Sequence, residues 1–329
     1  RMWSTSDLHR DIVIVIVIFS YRCHGTKPNF IVVMTDDQDY HSHKMKGMDF
    51  CDQYFRKNGV IFTNAFTTTP LCCPSRASFL TGKYLHNHGV VNNSVSGGCY
   101  SESWIRTQEP NTIGPYMKRL GYRTFYAGKY LNTYGYNLKK KTKATRPLGY
   151  DWWIGQRGNA KYYNYQILKN GTWTSYGKTK HDYFTNVLGM YSQDFLRLQN
   201  DVEPFFMMIT PAACHSNPIS EPGLQSRYTN TMIERNIDFN AGSTKNKHWL
   251  MRQDPIPLTP AQVKHLQWLH RKRVQTLESV DALVAKLIKI LRNKGLLDNT
   301  YIIMTTDHGF HMGHFSMFGD KRLPYETDI

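Results

Sequence analysis

Four short apolar runs in this chain each end in polar residues. Residues 30–34 lead into Thr35-Asp36-Asp37, residues 122–127 into Gly128-Lys129, residues 205–209 into Thr210-Pro211 and then His215, and residues 301–304 into Thr305-Thr306-Asp307-His308-Gly309. Runs this short, rich in β-branched and aromatic residues and bounded by turn formers, read as buried strands. Before the last of them lies a long helical pattern with apolar residues at Leu277, Val280, Val284, Leu287, Ile288 and Leu291, closed by Lys294 and Gly295. Helix then strand is an α/β alternation. In such sheets ligands gather beyond the carboxyl ends of the strands, so polar residues far apart in sequence are expected to meet in one crevice.

The chain has 329 residues, and its 40% hydrophobic content with 13% aromatics is ample for a packed core, which excludes wholesale disorder. The longest apolar run, residues 12–19, is far shorter than the roughly eighteen residues a membrane-spanning helix needs, so stable membrane insertion is not expected. Residues 1–26 read either as a signal or targeting segment or as a buried strand. Forty-one Lys and Arg against 25 Asp and Glu leave a net charge of +16, a field that attracts polyanions. Nucleic acid is not the expected partner, because the chain carries no zinc-finger spacing, no aromatic-basic RNA-binding motif and no concentrated basic helix. Six cysteines permit one or two disulfides, and the sequons at Asn92 and Asn170 lie in polar stretches expected to be surface loops, both in keeping with the secretory pathway. Residues 139–143 form a basic stretch, and residues 216–246 a long irregular connection.

Asp36 and Asp37 are adjacent carboxylates after a strand, where like charges repel unless a cation or several donors compensate them. They bind a hard divalent metal or serve as helix caps and turn formers. Asp307 and His308 follow another strand and are candidates for further ligands. His311 and His314 lack the companion ligands of a zinc site, and hydrogen-bonding or surface roles are expected for both. Residues 70–82, Pro-Leu-Cys-Cys-Pro-Ser-Arg-Ala-Ser-Phe-Leu-Thr-Gly, read in their second half as a short helix. Cys72 would then sit just before its N-terminus, where free N–H groups favour a thiolate or bound oxyanion, with Arg76 one turn on. Alternatively, Cys72 and Cys73 merely pack or form a bridge.

The run Cys72-x-Pro74-Ser75-Arg76, followed by Ala-Ser-Phe-Leu-Thr-Gly-Lys, resembles the signature of the sulfatase family, in which the first cysteine is enzymatically converted to formylglycine before folding. The resemblance extends over residues 27–329 through Asn29-Phe-Ile-Val-Val-Met-Thr-Asp-Asp-Gln-Asp, Gly82-Lys-Tyr-Leu-His-Asn-His, Gly128-Lys-Tyr-Leu-Asn, Lys247-His-Trp-Leu and Thr306-Asp-His-Gly. Within the family it is strongest to the branch acting on 6-O-sulfated N-acetylglucosamine in heparan and keratan sulfate, with the extracellular heparan endosulfatases next. It implies an alkaline-phosphatase-like α/β sandwich, a central mostly parallel sheet flanked by helices. Residues 27–329 would be the N-terminal catalytic domain, ending before the family's small C-terminal domain.

The resemblance also implies roles. One Ca2+ would be held by Asp36, Asp37, Asp307 and the formylglycine made from Cys72, with His308 standing where many sulfatases have Asn. Arg76 and Lys129 would hold the formylglycine hydrate, and His215 and Lys321 would face the sulfate and the leaving oxygen. Many family members have a histidine two residues after the position of Lys129; this chain has Leu131 there and Asn132 next. The reaction implied is attack of a hydrate hydroxyl on sulfur, departure of the alcohol with a proton from His215 or Lys321, and expulsion of sulfate by the second hydroxyl. The implied partners are a sulfated glycosaminoglycan as substrate and the formylglycine-generating enzyme during biosynthesis, and the implied location is the lysosome or the extracellular space. Two other readings stay open: a catalytically inactive protein that binds sulfated glycans, and a phosphodiesterase of the same superfamily. Trp152, Trp153, Tyr162 and Tyr163 are candidates for stacking on sugar rings or for core packing.

Overall fold

The computed structural model describes residues 27–39, 46–136, 146–242, 246, 252 and 257–321. The apolar run at 12–19, the basic stretch at 139–143 and the Lys247-His-Trp-Leu motif lie outside the described residues. Seven strands, β1 (Asn29–Thr35), β2 (Arg123–Lys129), β3 (Trp152–Gln156), β4 (Tyr165–Lys169), β5 (Thr172–Tyr176), β6 (Phe205–Thr210) and β7 (Thr300–Thr306), form one sheet in the order β5-β4-β3-β2-β6-β1-β7. The helices are α1 (Asp49–Asn58), α2 (Cys72–Thr81), the single turn α3 (Leu85–His88), α4 (Ile113–Arg119), α5 (Phe184–Arg197) and α6 (Pro260–Asn293).

The four apolar runs become four neighbouring parallel strands, β2, β6, β1 and β7. Strands β2, β6 and β1 read as unbroken apolar stretches because both faces of the sheet are covered there. Ile31, Val33, Met207 and Ile209 pack with Val187 of α5 and with Leu277, Val280 and Val284 of α6. Val32, Met34 and Met208 face the opposite way and pack with Cys73, Ala77 and Leu80 of α2. On that second face the edge strand β7 leaves Tyr301 and Ile303 exposed. Parallel pairing aligns Thr35 with Thr306 and Gly128 with Thr210, so the strands deliver their C-terminal residues to one edge. This is the mostly parallel, helix-flanked α/β architecture that the resemblance implies.

The sequence reading had not anticipated β3, β4 and β5. Strand β3 is parallel to β2, whereas β4 and β5 are antiparallel additions. The β4–β5 hairpin turns at Asn170-Gly171 with φ of 47° and 103°, the two left-handed residues that a tight hairpin requires. Helix α6 starts at a capping box, in which the Gln262 side chain accepts from the Thr259 N–H at 2.9 Å and the Thr259 hydroxyl accepts from the Gln262 N–H at 3.3 Å. Pro260 occupies its first turn, and Gly295, at φ 68°, turns the chain towards β7. Its 34 residues span about 51 Å, against about 23 Å for the seven of β7, so its N-terminal part runs well past the carboxyl edge of the sheet. None of the described helices is both long and apolar enough to cross a membrane.

Candidate active site

The carboxyl edge of the sheet collects the residues that the sequence singled out as metal ligands and proton carriers. Asp36 and Asp37 follow β1, Asp307 and His308 follow β7, Lys129 is the last residue of β2, and His215 lies in the loop after β6. Cys72 arrives from another direction, as the first residue of α2 and not one position ahead of it, after the extended residue Leu71. Helical spacing puts Cys72 and Arg76 on one face, and both are buried. Gly82, at φ 66°, ends the helix.

Ion pairs tie these residues together. Lys129 Nζ donates to Asp36 Oδ2 at 2.8 Å and to Oδ1 at 3.1 Å. Arg76 Nε donates to Asp307 Oδ2 at 2.9 Å and Arg76 Nη1 to the Lys129 carbonyl at 2.7 Å, with Nη2 3.6 Å from Asp36 Oδ2. The Ser75 hydroxyl donates to the Asp307 carbonyl, and the Asp37 N–H to Asp307 Oδ1 at 3.0 Å. Around the cysteine sulfur, Lys321 Nζ and His308 Nε2 each stand 3.4 Å away. Lys321 Nζ also reaches Asp37 Oδ1 at 2.5 Å, and His215 Nε2 lies 4.0 Å from Asp37 Oδ2. The His215 side chain is the more open part of the group, at 12% exposure, while those of Asp37 and His308 are fully buried.

Such packing shifts proton equilibria. Burial alone would push the Cys72 thiol up, but Lys129, Lys321 and His308 outweigh it and hold the thiol well below its ordinary value, as a thiolate. Asp36 is likewise held well below the usual carboxylate range, because Lys129 and Arg76 overcome the cost of burial. Against the desolvation that favours neutral imidazole, Asp307 and Cys72 push His308 up to about 9. Burial and then the neighbouring Asp36 raise Asp307. His215 is raised, with Asp36 and Asp37 prevailing over its burial.

Two overlapping sets of side chains bring ligand atoms within 4.8 Å of one another: Asp36, Asp37, Cys72 and His215, and Asp37, Cys72, Asp307 and His308. Asp37 belongs to both, and its Oδ2 is buried without a hydrogen-bond partner. An anionic oxygen left so in a closed site is the donor a cation satisfies, and the carboxylates suit a hard divalent ion. The residues present therefore fit a metal.

Arg273 of α6 is a part of this assembly that sequence reasoning missed. It is fully buried and donates to the Asp37 carbonyl, to the Cys214 carbonyl at 3.0 Å and to Asp39 Oδ2 at 3.1 Å, while its guanidinium sits 4.6 Å from the Phe310 ring. A signal was present: Arg273 stands one turn before Leu277 on the stripe that continues through Val280 and Val284, and an arginine on an apolar stripe calls for a buried partner. Other readings shift. His311 and His314 are buried, not surface residues, held in the loop that folds back between β7 and Lys321. Trp153 and Tyr162 are core residues, Trp152 packs against Phe125 and Phe195, and Tyr163 against Tyr183, so none of the four forms a free sugar platform. Cys73 pairs with Cys99 in a disulfide, and Cys51, Cys72 and Cys214 are free thiols. Asn92 and Asn170 are exposed, as expected of their loops.

Comparison with known proteins agrees with this geometry. A profile of the sulfatase family matches residues 28–327. N-acetylglucosamine-6-sulfatase of Homo sapiens is 44% identical over 314 residues, which cover 95% of this chain and 56% of that protein. The putative extracellular sulfatase Sulf-1 homolog of Caenorhabditis elegans is 34% identical over 322 residues, covering 97% of this chain and 44% of its own length. The chain thus spans about half the length of the curated relatives it matches. A solved structure in complex with its substrate D-glucosamine-2-N,6-O-disulfate superposes with a TM-score of 0.72 at 21% identity, covering 92% of this chain and 69% of that one, and shares the fold. The profile match over nearly the whole chain, and relatives at this level of identity, establish that the chain belongs to the sulfatase family.

Proposed function

We propose that the chain hydrolyses sulfate monoesters, with the 6-O-sulfate of N-acetylglucosamine or glucosamine in heparan or keratan sulfate as substrate. The observation that carries this reading is the sulfur of Cys72, flanked at 3.4 Å by Lys321 and His308 and clustered within 4.8 Å with a carboxylate oxygen of Asp37, whose Oδ2 has no hydrogen-bond partner. The similarity to N-acetylglucosamine-6-sulfatase supports the choice of sugar and ester position.

In this reading the sulfur marks the position of the oxygens of a formylglycine made from Cys72. The hydrated aldehyde supplies a nucleophilic oxygen and a second hydroxyl whose loss of a proton expels sulfate, a step for which a thiol has no counterpart. Asp36, Asp37, Asp307 and residue 72, with His308 alongside, would hold one Ca2+, whose charge would supply polarisation of the nucleophile and neutralisation of sulfate charge. Arg76 fixes Asp307 and the end of β2, keeping the ligand geometry rigid. Lys129 holds Asp36 ionised and turns its charge towards residue 72. Lys321 and His308 present positive charge where sulfate oxygens would lie, which lowers the repulsion that makes such esters inert in water. His215, on the more open side, gives a proton to the departing sugar oxygen in this reading. Burial of Cys72 supports conversion by the formylglycine-generating enzyme before folding, and the lysosome or the extracellular space is the proposed place of action.

The test is sulfate release from a 6-O-sulfated N-acetylglucosamine monosaccharide, paired with mass spectrometry of the peptide containing residue 72. Turnover with an aldehyde mass at that residue is expected, and Cys72→Ala or expression without the converting enzyme should remove the turnover. Full activity from an unconverted thiol would refute the reading. Heparin binding without turnover by converted protein would favour a non-catalytic glycan binder, and turnover of phosphodiesters alone a phosphodiesterase.

A further inference from the structure

Arg273 fixes the height of α6 against the site, because it binds the Asp37 carbonyl at the carboxyl edge of β1. The helix continues outward from there to Pro260. Trp268 stands about 8 Å and His265 about 12 Å further along the axis, at 1.5 Å per residue. Both residues are exposed, Trp268 at 50%. The His265 ring lies 5.5 Å from that of Trp268 and 5.6 Å from that of Phe318, itself 42% exposed. Phe318 precedes Lys321 by three residues, a span of at most ~11 Å of chain. The His265 ring thus joins two exposed aromatic rings, one on the part of α6 beyond the carboxyl edge of the sheet and one in the loop that leads to Lys321. On the helix side their surroundings are basic: the first eighteen residues of α6 contain Lys264, Arg271 and Lys272 beside the buried Arg273 and no Asp or Glu, while Asp320 is exposed on the Phe318 side. Lys264 and Lys272 flank Trp268 at helical spacing, on the same side of the helix, and Lys264 is exposed.

We infer that His265, Trp268 and Phe318, with Lys264 and Lys272, form a subsite for a sulfated glycan chain, holding sugars beyond the one whose sulfate is cut. The ring faces suit the apolar faces of sugars, and the ammonium groups suit ring sulfates, so the surface matches both halves of that ligand and favours it over a neutral glycan. The inference rests on the proposed function and adds chain-length preference to it. The test compares the KM for a 6-O-sulfated N-acetylglucosamine monosaccharide with that for a heparan-derived octasaccharide bearing the same terminal residue. The wild-type chain is expected to show the lower KM on the octasaccharide. Lys264→Ala combined with Trp268→Ala should raise the octasaccharide-to-monosaccharide KM ratio about tenfold, worth about 1.4 kcal/mol, and Trp268→Phe should restore most of it. Binding of the octasaccharide to Cys72→Ala protein gives a reading that needs no turnover, and there the added double substitution should weaken affinity by a similar factor. A failed monosaccharide assay would count against the function, whereas an unchanged octasaccharide affinity with an unchanged melting temperature would overturn the subsite.

Discussion

Lys321 Nζ lies 3.4 Å from the Cys72 sulfur and 2.5 Å from Asp37 Oδ1, although 249 and 284 residues of chain separate it from them. A single ammonium joins the proposed nucleophile position to a metal-ligand candidate, so its removal should be felt mainly in the transition state. Lys321→Ala is expected to lower kcat by about 100-fold to 1000-fold with a smaller change in KM. Lys321→Arg should not restore the rate, since a planar guanidinium cannot occupy the place of a compact ammonium. Steady-state kinetics of sulfate release check this, and a kcat within threefold of wild type would remove Lys321 from the mechanism.

Arg273 positions the site without reaching the sulfur. Replacing it with Met leaves Asp39 and two carbonyls underpaired in a closed interior and is expected to cost about 3–5 kcal/mol of stability. Arg273→Lys keeps the charge but loses the forked geometry and should recover only part of that. Urea unfolding supplies the measurement. A loss below about 1 kcal/mol for Met would mean that Arg273 does not brace β1 and the loop after β6.

Two buried groups away from the site pull stability in opposite directions with pH. Burial among aromatic residues pushes Glu109 from its ordinary value near 4.5 up to about 7. Between those values the folded state keeps a proton that the unfolded chain has lost, so this group's contribution falls as pH rises and is gone above the folded value. Burial lowers His270 from near 6.5 to about 4, with Arg273 opposing its charged form and Asp39 favouring it. Here the unfolded chain holds the extra proton, and stability falls as pH falls through that range. The two slopes offset from about 4.5 to 6.5, each near 1.4 kcal/mol per pH unit. Relative to wild type, Glu109→Gln should therefore tilt the stability curve upward with pH and His270→Gln downward. Parallel curves for wild type and both variants would show that neither group titrates as described.

Much of the site was legible because strands buried on both faces advertise themselves as unbroken apolar runs, and the residues just after such runs must face the crevice. Asp36 and Lys129 were found that way, and Asp307 from the polar end of the half-buried edge strand β7. The register that brings them together was not legible, since pairing between β1 and β7 spans some 270 residues and is decided by packing. Strand β5 was missed because Thr172, Trp173 and Ser175 are exposed in an outer antiparallel hairpin and the segment carries no continuous apolar signal. Arg273 was overlooked because it sits in a basic triplet, Arg271-Lys272-Arg273, that resembles a solvated helix face until the phase of Leu277 and Val280 is followed back through it.

The bridge from Cys73 to Cys99 constrains how the chain matures. If Cys72 captured Cys99 instead, the anchoring point would slip by one position, and helix α2 would have to turn by about 100° to accommodate it. Arg76 would swing away from Asp307, and residue 73 would replace residue 72 beneath Lys321. Choosing the right member of an adjacent thiol pair is therefore a question of rotational phase, and a carbonyl installed early at position 72 would take the wrong choice out of the competition.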